Sequence, residues 1–362
     1  MVTSRFCLGA VGLSLEISRR GEGHSEELFR LYGEVFGHGM TERSRARWRW
    51  QYLDNPATPS EGPAIWVAME DGAVLGQYAS MPVRLHWGGK EVDSSWGMDV
   101  FLRPEARGKG VGARLFTAWA DSVSVALGLG LTESSYALFK KLRYEDVGPI
   151  PFYQKVLDPK AVAARRAGDA WGAALGPVAG AALDFVHPER EHPEARAVAV
   201  TRSDGFSTEY DALWERARSS YAMCVRRDRA YLDWKYRRVP HRSYAVQEAR
   251  RGGELTGYAV SRHEDYEGIR LGWVVDVFAD AQDHATKDAL LGALLREFRD
   301  EGVARVQAFS MNRALGDDLK RRGFFEGRSP MQFCVRAKTV APAVFAEREA
   351  WHVVFGDSDM DR

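Results

Sequence analysis

The chain has 362 residues, 50 of them basic and 50 acidic, so its net charge is zero; 45% are hydrophobic. That is roughly two domains' worth of chain with ample material for cores, and zero net charge leaves no global field for a nucleic acid, so a phosphate-bearing ligand must be met by a local device. Three scattered cysteines, Cys7, Cys224 and Cys334, have no CxxC spacing and argue against a disulfide framework or a thiolate metal site. With no uncharged apolar run of the ~18 residues a membrane span needs, the expectation is a cytoplasmic protein with no metal, membrane or nucleic-acid partner.

In chain order, the apolar start reads as a first strand rather than a signal peptide. "RSRARWRWQY" follows, with Arg43, Arg45, Arg47 and Arg49 interleaved with Trp48 and Trp50. Such a segment can meet an anionic acceptor or stack a sugar, but the preferred reading is a solvated basic face with the tryptophans turned inward. "AIWVAM" and "VLGQYASMPVRL" flank Asp71-Gly72, a strong hairpin signal. A strand, "GMDVFL", then leads through a glycine-rich loop into a helix on which Val111, Leu115 and Trp119 recur at helical spacing. "SSYALFKKLRYEDVG" closes the first half as a helix and a strand.

The second half repeats this plan. "YLDWKYRRVP" echoes "RWRWQYLDNP", "SYAVQEA–RRGG–ELTGYAV" echoes the hairpin, and "VVDVFADAQDHATKDALLGALLREF" aligns without a gap on "GMDVFLRPEARGKGVGARLFTAW", setting Asp276 on Asp99. The predicted fold class is therefore mixed α/β, as two tandem copies of one twisted mixed sheet flanked by helices. Their expected boundaries are 1–157, a helix and linker over 158–196, a second copy over 197–340, and a tail over 341–362 that forms a short helix near Phe345 to Trp351 and then frays.

The segment richest in chemistry is Arg107-Gly108-Lys109-Gly110-Val111-Gly112, between a strand and an amphipathic helix. Glycines there let successive N–H groups converge, the helix adds its positive end, and Arg107 and Lys109 add charge. This device suits a phosphate or pyrophosphate, although a plain helix cap has the same glycines. It is neither a Walker loop nor the dinucleotide fingerprint.

"VFLRPEARGKGVGARLF" resembles the acyl-CoA pyrophosphate loop of the Gcn5-related N-acetyltransferases (GNAT), with Arg107, Gly110 and Gly112 in the three defining positions. "ALFKKLRYEDVG" is similar to that family's later helix-to-strand segment, and "LSLEISRR" followed by "HSEELFRLYGEVF" to its first strand and helix. The resemblance implies a sheet splayed between its fourth and fifth strands. Val100, Phe101 and Leu102 would pair with the pantetheine arm of acetyl-CoA, and Arg107 to Gly112, with Gly108, Lys109 and Val111 among them, would hold its pyrophosphate. An amine acceptor, a small molecule or peptide with amino sugars among the candidates, would attack the thioester directly, its carbonyl polarised by a backbone N–H.

For the proton transfers, the candidates are Asp99 and Glu133 as base and Tyr136 as acid, because Phe139 stands where the family often has its acid tyrosine. Retention of Asp276 in the copy that lost the loop suggests that Asp99 is architectural. On the alignment Arg107 becomes His284, Gly108 Ala285, Gly110 Lys287 and Gly112 Ala289, so the second copy is expected not to bind CoA but to cover the first and shape the acceptor pocket. The leading expectation is an acyl-CoA-dependent N-acyltransferase. The alternatives are a non-catalytic CoA-binding regulatory module and a Fem-type transferase using aminoacyl-tRNA, which the intact loop disfavours.

Overall fold

The protein is described by a computed structural model over residues 15–20, 25–167, 169–329, 331–339 and 345–359; Cys7 and most of the N-terminal apolar stretch lie outside the described residues. The first half runs β1 (Glu16–Arg19), α1 (Ser25–Phe36), α2 (Glu42–Tyr52), β2 (Ile65–Glu70), β3 (Ala73–Trp87), β4 (Lys90–Leu102), α3 (Val111–Ala120), β5 (Val125–Leu129), α4 (Glu133–Lys141), β6 (Glu145–Pro149) and β7 (Phe152–Val156). A helical hairpin, α5 (Pro159–Ala167) and α6 (Asp169–Val186), leads to the second half. There follow β8 (Ala199–Ser203), α7 (Glu209–Ala217), β9 (Met223–Val225), α8 (Arg229–Leu232), a π-helical turn at Asp233–Arg237, β10 (Ala245–Arg251), β11 (Glu254–Tyr266) and β12 (Ile269–Ala279). The chain ends with α9 (His284–Asp300), β13 (Arg305–Phe309), α10 (Arg313–Arg321), β14 (Phe325–Gly327), β15 (Gln332–Ala337) and β16 (Trp351–His352).

Local chemistry explains the shared plan. Asp71 and Gly72 both take left-handed φ, 49° and 81°, as a tight two-residue hairpin requires, and Gly252-Gly253 does the same in the second half with φ of 58° and 86°. Thr132 caps α4 by accepting from the Ser135 N–H, and Asn312 caps α10 in the same way from Leu315. Two mixed α/β sheets result, as the sequence implies. They are ordered β1-β2-β3-β4-β5-β15-β6 and β14-β7-β13-β12-β11-β10-β8.

These orders contain a reciprocal exchange. β7 leaves the first half and inserts between β13 and β14, pairing Phe152 with Phe309 and Gly327. β15 returns the other way and inserts between β5 and β6, pairing Phe333 with Leu129 and Gly148. The crossing is short because Pro149 and Pro151 keep Pro149-Ile150-Pro151 extended, and Ile150 N–H bonds the Met331 carbonyl at 2.9 Å. A cut at residue 157 therefore coincides with no change of sheet: the strand just before it already belongs to the second one. β9 adds a further link, pairing its Val225 with Leu85 at the far end of β3.

Where the halves meet, Trp50 and Trp234 stack with ring centroids 4.9 Å apart. Each indole N–H donates to the other's backbone carbonyl, at 2.8 and 2.9 Å. The two aromatic, basic segments that repeat in sequence are thus brought face to face, and the largest apolar core runs through both halves. α2 is not a uniform basic face. Arg45 pairs with Glu26 at 2.5 Å and Arg43 donates to the His241 carbonyl at 2.7 Å, while Trp50, Gln51 and Tyr52 are buried.

The tail departs from expectation. Among the described residues, Arg348–Ala350 forms a 3-10 turn, and β16 then pairs with β9. Far from fraying, Val353 to Ser358 are buried, because they pack into the second half in the manner described below.

The strand exchange makes the halves interdependent. A fragment of residues 1–157 lacks β15 and exposes the edges of β5 and β6. Circular dichroism and proton NMR should find it without cooperative unfolding or dispersed signals, and co-expression with 158–362 should restore both. An independently folded 1–157 would contradict the exchanged topology.

Candidate active site

β4 pairs with β5 only from Ser94 to Trp96, opposite Val125 to Leu127, although both strands continue. Beyond Trp96, β4 bulges. Ala79 of β3 faces Met98 and Gln77 faces Phe101, so Asp99 and Val100 have no register partner on β3, and Asp99 adopts a left-handed φ of 44°. Gly97 sits at the fork because a Cβ there would meet the Tyr78 hydroxyl at 1.9 Å and the Trp119 ring at 2.6 Å. Two side chains pin the bulge: Tyr52 donates its hydroxyl to Asp99 Oδ2 at 2.6 Å, and Gln77 Nε2 donates to the Asp99 carbonyl at 3.2 Å.

The fork opens a cavity of about 570 Å³. Gly97 to Phe101 form one lip, and Leu129 to Thr132 with Ser135 the other; Phe116 and Phe139 line it too, and α1 and α2 cover it with Phe29, Tyr32, Trp48 and Tyr52. Phe139 meets Phe116 edge-on at 5.2 Å and lies so close over β5 that a Cβ at Gly128 would fall 2.2 Å from its ring. An apolar side chain thus stands at this point of the wall.

At the end of β4, Arg107 to Gly110 are exposed and lead into α3. Gly108 and Gly110 have φ of 75° and 80°, and a Cβ on either would meet no heavy atom within 4 Å. Such a loop keeps space above its backbone at the positive end of a ten-residue helix, which fits a pyrophosphate. Val111 is buried beneath it, and Gly112 lies near Leu102.

Of the candidates named from sequence, Asp99, Val100 and Phe101 line the cavity; Leu102, residues 107–112, Glu133 and Tyr136 do not. Glu133 is exposed as the first residue of α4. The Tyr136 hydroxyl donates to Asp146, which raises its pKa to about 12, so its proton is directed at β6. Sequence reading passed over Tyr52, Gln77 and Asp359, and named Arg47 only as one of a basic run. The first stands in the repeated "RWRWQY" segment, where its recurrence as Tyr236 was the available signal. Asp359 carried none.

The second half builds the same fork and fills it. The tail bonds both lips: Gly356 N–H reaches the Val275 carbonyl at 2.7 Å and Met311 N–H the Val353 carbonyl at 3.0 Å. Asp276, aligned with Asp99, is 1% exposed and accepts from Tyr258 at 2.9 Å, Tyr236 at 3.2 Å and Arg227 at 3.2 Å. Arg227 also clamps Asp357 of the tail at 2.9 Å. Burial opposes the charge on Arg227, but Asp276 and Asp357 hold the guanidinium protonated above its ordinary range. Burial also lifts the Asp357 carboxyl, while the guanidinium 2.9 Å away opposes that rise. In place of the loop glycines, Lys287 is buried, pairing with Asp318 at 2.9 Å and the Ala281 carbonyl at 2.7 Å. Among the described residues no group of three or more His, Cys, Asp or Glu could hold a metal, and no helix is long and apolar enough to cross a membrane.

Arg227→Met would strand Asp276 and Asp357 as buried carboxylates. A loss of about 3–5 kcal/mol is expected, read as a lower urea midpoint at unchanged m-value.

With this geometry in hand, comparison with known proteins gives a consistent result. Residues 16–126 match the family described as acetyltransferase (GNAT) domain. Similar solved structures include a GCN5-related N-acetyltransferase from Anabaena variabilis, at 12% identity over 89% of this chain and 72% of that one with a TM-score of 0.61. A probable N-acyltransferase from Enterococcus faecalis matches at 12% identity, 96% and 74% coverage and a TM-score of 0.60. An N-myristoyltransferase from Saccharomyces cerevisiae, solved with bound myristoyl-CoA, matches at 13% identity, 93% and 86% coverage and a TM-score of 0.51. At these identities the likeness is one of fold. Among curated proteins, no sequence matches. Residues 16–126 thus match a GNAT domain, and the chain has the fold of the GNAT acyltransferases.

Proposed function

We propose that this chain is an acyl-CoA-dependent N-acyltransferase, with acetyl-CoA as donor, in which the first half carries the reaction and the second is a pseudo-domain. The observation that carries the reading is the contrast between the two forks. The first is an open cavity beside a glycine loop with free space above it. The second is bridged by the chain's own tail and has a buried lysine in place of the loop's glycine.

In this reading Arg107, Gly108, Lys109, Gly110, Val111 and Gly112 hold the pyrophosphate, and Val100, Phe101 and Leu102 receive the pantetheine arm along the free edge of β4. A backbone N–H at the bulge polarises the thioester carbonyl. The acceptor amine attacks that carbon, the C–N bond forms and the C–S bond breaks. The proton lost from the amine and the one taken up by the CoA thiolate balance. Asp99 faces the cavity and is the carboxylate best placed to receive the first. Glu133 and Tyr136, off the cavity wall, would act only through water.

Asp99 is held by Tyr52 as Asp276 is by Tyr236, so its first task is to fix the bulge. Asp99→Asn should therefore lower kcat and also loosen donor binding, whereas a pure base would change kcat alone. Measuring both constants for the variant separates the two roles.

Saturating acetyl-CoA should raise the unfolding midpoint, since ligand at a hundred times its Kd stabilises by about 2.7 kcal/mol, and calorimetry should count one site per chain. Gly110→Asp should abolish that binding, since it places a carboxylate where the pyrophosphate approaches. Its own stability should fall by only about 1–2 kcal/mol, for a side chain at left-handed φ. Normal affinity in this variant, or two sites per chain, would overturn the assignment.

A further inference from the structure

The tail that seals the second fork does not stop there. Beyond Asp357 it turns through Ser358, whose φ of 63° is left-handed, and delivers Asp359 to the wall of the first half's cavity. The turn is held from several sides: Arg227 clamps Asp357 at 2.9 Å, the Lys235 ammonium donates to the Ser358 carbonyl, and Asp359 itself pairs with Arg47 at 3.6 Å with a side chain only 11% exposed. Lys235 stands 5.9 Å from the rings of both Trp50 and Trp234. The carboxylate's position is thereby tied to the junction of the two halves.

The cavity's other walls define what this carboxylate would meet. Its charged lining residues are Asp99, Asp359 and Arg47, a net negative set. The α1–α2 side adds a run of aromatic rings beside Leu28, Met40, Ser44 and Gln51. Phe29 meets Trp48 edge-on at 5.1 Å, Trp48 meets Tyr52 at 5.6 Å, and Tyr32 meets Phe101 at 6.0 Å. A negative edge on an aromatic chamber favours a cation that carries a ring, through direct ion pairing and through ring faces.

Building on the transferase reading, we propose that Asp359 is a specificity-determining residue of the acceptor site, supplied by the second half's tail, and that the acceptor is an aryl-bearing primary amine. Its ammonium docks against Asp359 and loses one proton to solvent before the neutral amine attacks, and its ring lies among Phe29, Tyr32, Trp48 and Phe101. Arg47 orients the carboxylate and loosens its hold on it as the ammonium arrives.

The test uses the full-length protein, acetyl-CoA, and 2-phenylethylamine with n-butylamine as the ringless control. CoA release and acetyl-CoA calorimetry are both measured for the wild type, Asp359→Asn and Asp359→Glu. The wild type should show a KM for 2-phenylethylamine at least tenfold below that for n-butylamine. Asp359→Asn should raise the 2-phenylethylamine KM at least tenfold while kcat and acetyl-CoA affinity stay within about twofold, and Asp359→Glu should recover part of the loss. An unchanged KM in Asp359→Asn overturns the proposal, as does a parallel loss of acetyl-CoA affinity and thermal midpoint, which would mark Asp359 as structural. Acetyl-CoA binding without transfer to 2-phenylethylamine overturns the acceptor class. Absence of acetyl-CoA binding to the wild type is a different failure: it removes the transferase reading itself.

Discussion

Everything in this molecule turns on the contact between Trp50 and Trp234. Two tryptophans at equivalent places in a repeat stack on one another and exchange indole hydrogen bonds with each other's backbone. A contact in which each partner makes the same bond to the other is what two-fold symmetry produces. Here it occurs within one chain. It fixes the orientation of α2 against the π-helical turn, and thus the places of Tyr52 and Tyr236, which reach the aligned carboxylates Asp99 and Asp276. The exchange of β7 and β15 ties the same two halves together a second time.

From that symmetric start the halves diverge through few residues. Both forks open after the third or fourth residue of the parallel pairing, at Trp96 and at Val274, and both carry a carboxylate on the bulging strand. In the first, glycines at 108 and 110 leave the helix terminus bare. In the second, Lys287 occupies the place of Gly110 and needs Asp318 beside it, since a lone buried ammonium is costly. The side chains that close this site then require each other. Once the tail's Asp357 is added to Arg227, the second fork is a core and no longer a cleft.

The fold was legible in the sequence to the extent that it rests on local signals. Alternation, the Asp71-Gly72 turn, helical spacing and the glycine-rich junction all act within a few residues, and each element they predict is present. The duplication was legible as well, because "DVF" and the tryptophan segments recur. The strand exchange was not. β7 suits either sheet equally by pattern, and only Pro149-Ile150-Pro151, read as a straight bridge, hints that it leaves. The tail misled for a related reason. "GDSDMDR" reads as a solvated terminus, yet Asp357 is 1% exposed because an arginine 130 residues earlier in the chain awaits it. Buried ion pairs between distant segments leave no periodicity behind.

The same long-range pairing explains how a half without an open cleft of its own can still shape the site in the other. A loop on the first half could have carried a carboxylate to the acceptor side, but its position would have been as free as the loop. Carried instead on a tail that is sealed in a core, clamped by Arg227 and capped by Lys235 at the tryptophan junction, Asp359 inherits the rigidity of the second sheet. A side chain so held loses little further freedom when a ligand arrives, and preorganisation of this kind raises discrimination between acceptors without new contacts to the donor. The sealed fork is then the anchor of one wall of the open one, and on the proposed reading that wall is where the acceptor docks.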